Sequence, residues 1–248
     1  MEVKRFFARK DIETKKLTAN QLSLSRNQIK YFDRFLLAST SKVLSVLETM
    51  LALEIDSSHS SLEIMPAVNI EKLEPLCSEP LYVISSEMMG ELQGGLHLLM
   101  SSSDFKTLGE VMKPILKLLF LSDSDTDLTT LENQKPDWMK DDQKPLKDDP
   151  VFHGRMIDTL TELGNVLFGI YTKALYITFD LHTNHSLPES SRGTNQQYIQ
   201  QILSSPAFLD KRHLVIENEF STLNKTIRLW CLISPKQKSF QEILNRIG

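Results

Sequence analysis

Asp158, Glu162 and Asn165 stand at positions i, i+4 and i+7 of one run. At about 100° per residue, those spacings fall on one side of a helix. Two carboxylates there can anchor cations. A carboxamide beside them can donate and accept hydrogen bonds without changing charge. Such a face suits binding and positioning. Every surface helix shows polar residues, however, so the face by itself defines no site. Pro188 follows Asn165 after 22 intervening residues.

The element that must carry these residues is read from apolar spacing. Ile157, Leu160, Leu163, Leu167, Ile170 and Ala174 recur at steps of three and four, which predicts a helix opening at Val151 and running about 25 residues. Its apolar stripe lies opposite Asp158, Glu162 and Asn165. From Ala174 to His182, Tyr176, Thr178 and Asp180 alternate with Ile177, Phe179 and Leu181. That alternation predicts a strand. A loop containing His182, His185 and Pro188 follows. Two histidines three apart without a third ligand nearby read as loop residues rather than a metal site.

The pattern Asp, three residues, Glu, two residues, Asn, 22 residues, Pro resembles the signature of the CheC/CheX/FliY phosphatases, with all four positions matched. The resemblance implies action on the aspartyl phosphate of a CheY-like phosphorylated response regulator. Asn165 would hold the attacking water, and Glu162 would pair with the lysine of the regulator's pocket. Asp158 would help docking, and Pro188 would shape the loop beyond the strand. No metal or cofactor is expected on this chain; the Mg²⁺ would belong to the partner. The alternative within the resemblance is a non-catalytic CheC-like adaptor or flagellar-switch-type binding module. Outside it, the chain would be an unrelated α+β protein with an ordinary polar surface.

Composition sets wider bounds. The 248 residues are 41% hydrophobic and carry a net charge of −4, too small to argue for nucleic acid or an anionic membrane. No apolar run approaches about 18 residues, so no membrane span is expected. The opening MEVKRFFARKDIETKK has no apolar core of a secretory signal. Cys77 and Cys231 are far apart and each adjoins an apolar run, as core thiols of a reducing compartment do. A cytoplasmic location is expected.

Four regions are expected: a basic leader over 1–26, a first half over 27–121, an acidic insert over 122–150, and a second half over 151–248. The leader holds seven Lys or Arg against three Asp or Glu, with Phe6 and Phe7 its only aromatics. The insert holds nine acidic and four basic residues and three prolines, the composition of a solvated linker. Trp138 and Met139 stand out in it as a candidate anchor onto the domain or a partner. Its SDSDTD run lacks the glycine and terminal glutamate of a calcium loop.

The first half predicts a helix over Asn27–Leu53, short strands over Ala52–Asp56 and Ser61–Met65 separated by SSHSS, and strands over Leu81–Ser86 and Gly95–Ser101. A helix over Phe105–Leu121 follows, capped by Ser103 or Asp104 and kinked or broken at Pro114. The second half predicts a short helix over Gln196–Leu203, a hairpin of Arg212–Phe220 with Lys225–Ser234, and a closing helix over Phe240–Ile247.

The two halves share this layout. Placing Val43–Leu53 over Val166–Tyr176 sets Phe35, Ser39 and Lys42 against Asp158, Glu162 and Asn165, with Pro66 within one residue of Pro188. Tyr82–Ser101 overlies Leu214–Ser234 with one gap. The expected architecture is α+β: duplicated helix–strand units related by a pseudo-twofold, sharing one β-sheet packed with long helices. Internal symmetry of this kind is also what the resemblance implies. One site is expected, in the second half. An exposed sheet edge would permit a homodimer.

Overall fold

The computed structural model describes residues 12–15, 24–50, 52, 54–66, 79–122, 150–193 and 212–247. Its elements are β1 (Ile12–Lys15), α1 (Arg26–Met50), β2 (Ser57–Pro66), β3 (Leu81–Gly90), β4 (Gly94–Ser101), α2 (Ser102–Ser122), α3 (Pro150–Phe179), β5 (Thr183–His185), β6 (Glu189–Gly193), β7 (Arg212–Thr222), β8 (Lys225–Pro235) and α4 (Gln237–Arg246). The acidic tract from 123 to 149, the helix expected over Gln196–Leu203, and Phe6, Phe7, Cys77, Trp138 and Met139 lie outside the described residues. Cys231 is a buried free thiol, and its burial pushes its pKa up.

Local chemistry explains where the helices begin. The Ser25 hydroxyl accepts the Gln28 N–H at 3.1 Å, and the Gln28 carboxamide accepts the Ser25 N–H at 2.9 Å. This reciprocal capping box starts α1. Ser101, rather than Ser103 or Asp104, caps α2 by accepting the Asp104 N–H at 3.0 Å. The assigned helix α2 runs through Pro114 as one element.

Two strand expectations are corrected. The described residues of the Ala52–Asp56 stretch form no strand, and Ala52 turns left-handed at φ 47°, while the SSHSS run lies inside β2. The serines are tolerated there because Ser60 donates to Asn218 Oδ1 at 3.0 Å in the core. Ala174–His182 is not a strand, since α3 continues to Phe179. Ala174, Leu175 and Phe179 are buried while Tyr176 and Ile177 face solvent, which is helical spacing. Asp180 then turns left-handed at φ 55° and ends the helix. The Arg246 guanidinium of α4 donates to the Asp180 carbonyl at 2.8 Å.

All eight strands form one sheet, ordered β1-β2-β7-β8-β4-β3-β5, with β6 also on β3. The hairpins β3–β4 and β7–β8 meet at an antiparallel β4–β8 seam. The strands following the long helices change sides: β2 pairs with β7, and β5 and β6 pair with β3. The pseudo-twofold thus passes between β4 and β8, and each half completes the other's sheet. Gly94, at φ 153°, lies against the seam; a Cβ there would sit 2.1 Å from the Ser234 carbonyl oxygen.

Burial revises the register of the duplication. Phe32, Phe35, Leu36, Ser39, Thr40, Val43 and Leu47 are the buried positions of α1. The same spacing recurs in α3 as buried Leu160, Leu163, Gly164, Leu167, Phe168, Tyr171 and Leu175. The expected superposition set buried Phe35 and Ser39 on exposed Asp158 and Glu162, so it was out of phase. In the burial-matched register, Lys30, Arg34 and Leu37 stand where Asp158, Glu162 and Asn165 do. Leu37 is exposed.

The helices bury their apolar faces on one side of the sheet, against Leu62, Ile84, Leu98, Ile216, Leu229 and Cys231 among others. Alternate positions on the opposite face, including His97 and His213, are also largely buried.

Candidate functional site

The candidate site is built on α3, a 30-residue helix about 45 Å long. Leu160, Leu163, Leu167, Phe168 and Tyr171 fix one side of it in the core. Gly164 lets that side descend onto β3: a Cβ there would lie 2.6 Å from Ile84 Cγ2. Tyr171 is fully buried, and its hydroxyl accepts the Asn218 carboxamide N–H at 3.0 Å. With Ser60 on the other side of Asn218, a buried hydrogen-bond chain ties α3 to β7 and β2.

That anchoring sets the direction of the opposite face. Asp158 and Glu162 are exposed, and Asn165 is half-buried. Pro188 lies off the helix, between β5 and β6. His185 of β5 meets Phe168, ring centroids 6.0 Å apart. Ser190 and Ser191 of β6 border a small cavity with Ile157 and Leu160. The segment between them, including Pro188, therefore passes level with the middle of the Asp158–Asn165 stretch.

Proline has no N–H to give a ladder, and the edge strand breaks there. Ser186 bridges the break. Its N–H donates to the Glu87 carbonyl at 2.9 Å, and its hydroxyl accepts the Glu87 N–H at 3.0 Å. The Ser86 hydroxyl donates to the Ser186 carbonyl at 2.7 Å.

The stripe continues beyond the residues the sequence singled out. Gly169, Lys173 and Tyr176 extend the face of Asp158, Glu162 and Asn165 at steps of three and four. With Glu91, His182 and His185 they line an open groove between α3 and β5. Glu91 is held there by the His182 N–H at 2.7 Å and the Arg246 guanidinium at 2.8 Å. Those bonds hold its carboxyl below the ordinary range. The helix expected from Val151 already covers Gly169 and Lys173 on this period, whereas the strand expected from Ala174 hid Tyr176. No group of three or more His, Cys, Asp or Glu side chains is placed to hold a metal among the described residues.

The chain has the CheC/CheX/FliY-like fold. It is similar to the crystal structure of FliY from Thermotoga maritima, with 13% identity, TM-score 0.59, and 91% of this chain and 98% of that one covered. It is also similar to a chain of the FliG–FliM complex from H. pylori, with 12% identity, TM-score 0.53, and 90% and 100% covered. No protein-family model matches the sequence, and no curated protein does. No helix among the described residues is long and apolar enough to cross a membrane.

Proposed function

We propose that this protein hydrolyses the aspartyl phosphate of a CheY-like response regulator, in the cytoplasm. The observation that carries this reading is the display of Glu162 and Asn165 one turn apart on a helix whose other side is locked into the core. Breaking an acyl phosphate asks for a water held in line and stabilised charge, and little covalent chemistry. The Asn165 carboxamide orients that water inside the regulator's pocket. It accepts one of its hydrogens or donates to its oxygen without altering local charge. Half-burial restrains the side chain, so positioning costs less conformational entropy than at a fully exposed residue. Glu162 pairs with the pocket lysine and fixes the docking angle, while Asp158 extends the anionic contact. Pro188 shapes the neighbouring edge, and the Mg²⁺ is supplied by the regulator. The site belongs to the second half, 151–248, because α1 carries Lys30, Arg34 and Leu37 at the matching positions.

Phosphate release from a phosphorylated CheY-type receiver domain tests the reading. Wild-type protein should accelerate release and Asn165→Ala should not, with unchanged circular dichroism. A non-catalytic adaptor or flagellar-switch module is the second reading, favoured by the likeness to a chain of the FliG–FliM complex. Tight binding of the receiver without phosphate release would select it.

A further inference from the structure

The groove beyond Asn165 contains a notch with an unusual lining. Gly169 lies one turn past Asn165 on the same face of α3. Among the described residues, a Cβ at Gly169 would find one neighbour within 4 Å, His185 Nε2 at 3.8 Å, which is ordinary contact. Gly164 is different, since packing on Ile84 excludes any side chain there. Glycine inside a helix is less favourable than alanine. At Gly164 close packing explains that cost. At Gly169 the described residues leave room for a methyl group.

His185 supplies the second observation. Its Nδ1 lies 2.9 Å from the Ser186 carbonyl oxygen. A carbonyl only accepts, so Nδ1 carries the proton, and in the neutral ring Nε2 is left as an acceptor. The ring is also held edge-on against Phe168. The acceptor nitrogen therefore lies over Gly169, one turn past Asn165.

Resting on the phosphatase reading, we propose that Gly169 and His185 form a docking notch for the receiver domain. A hydrogen-bond donor on a receiver loop beside the phosphorylated aspartate, a main-chain N–H or a hydroxyl, enters over Gly169 and donates to His185 Nε2. The absent side chain admits the loop, and the imidazole fixes its depth. Lys173, exposed one turn further along, faces the acidic rim of the receiver's pocket.

The test uses the full chain, with a CheY-type receiver activated by beryllofluoride for binding and phosphorylated with acetyl phosphate for turnover. Gly169→Ala should keep or raise Tm, because the site is open and alanine favours helix. Gly169→Leu should keep the fold, weaken receiver binding at least tenfold, and raise KM with kcat held within about twofold. His185→Ala should weaken binding similarly, and His185→Gln should recover part of the loss.

A lower Tm for Gly169→Ala would make this a packing glycine and overturn the proposal. Unchanged binding by Gly169→Leu would also overturn it. If Asn165→Ala abolishes turnover while Gly169→Leu binds normally, the notch fails and the phosphatase reading survives. If wild-type protein binds without turnover, the phosphatase reading fails, and the dissociation constants of the Gly169 variants still decide the notch. If wild-type protein does not bind, both fail.

Discussion

Gly164→Ala separates a packing glycine from an incidental one. The new methyl would sit 2.6 Å from Ile84 Cγ2 and 3.2 Å from Ile84 Cβ. Ile84 is 1% exposed and β-branched, so its χ1 freedom is small and it cannot swing aside. Either α3 lifts from β3 or Ile84 leaves its rotamer. Overpacking of this kind costs about 1–3 kcal/mol, and this contact is close enough for the upper half of that range. Replacing glycine inside a helix returns about 1 kcal/mol. The net loss should be about 1–2 kcal/mol. For a chain of this size that lowers Tm by roughly 2–4 °C.

Urea or thermal unfolding followed by circular dichroism reads the change directly. Ile84→Ala removes the opposing Cγ2 and by itself should cost about 2–4 kcal/mol through the cavity it leaves. In the double variant the new methyl fills part of that cavity. The double loss should fall short of the summed single losses by about 1–2 kcal/mol. A Gly164→Ala protein more stable than wild type would refute the reasoning. So would strict additivity with Ile84→Ala.

Two further outcomes follow from buried polar groups. Tyr171→Phe leaves the Asn218 carboxamide without its acceptor at 3.0 Å and should cost about 1–3 kcal/mol in urea unfolding; an unchanged midpoint would contradict the buried chain. His97 is held down to about 4 by burial and by the charge of His213. Its folded pKa lies below its unfolded value, so the unfolded chain takes up a proton first as pH falls from about 6.5 towards 4. Wild-type stability should therefore drop across that window by about 2–3 kcal/mol more than in His97→Gln. Parallel pH profiles for the two proteins would reject this.

Much of the fold was legible because long amphipathic helices repeat their apolar residues many times. The stripe from Ile157 to Ala174 located α3, and the runs around β3–β4 and β7–β8 located both hairpins. Errors arose where two periods fit equally. From Ala174 to Leu181 the apolar residues satisfy alternation and helical spacing together, and burial of Leu175 with Phe179 decided for helix. Polar serines hid the middle of β2, because their core partner, Asn218, lies far away in sequence. The duplication was legible as an order of elements, whereas its register required knowing which side of α1 is buried. The pairing of β2 with β7, and of β5 and β6 with β3, has no local signal at all. The carboxylate and carboxamide face was readable from spacing. Its continuation through Gly169 to His185 depends on tertiary contact between α3 and β5.

The central claim is tested most directly by single-turnover phosphate release from one phosphorylated CheY-type receiver, comparing wild-type protein with Asn165→Ala. Loss of water positioning should slow release by about a hundredfold or more, with receiver binding retained through Glu162 and Asp158. Equal release rates for the two proteins would contradict the account.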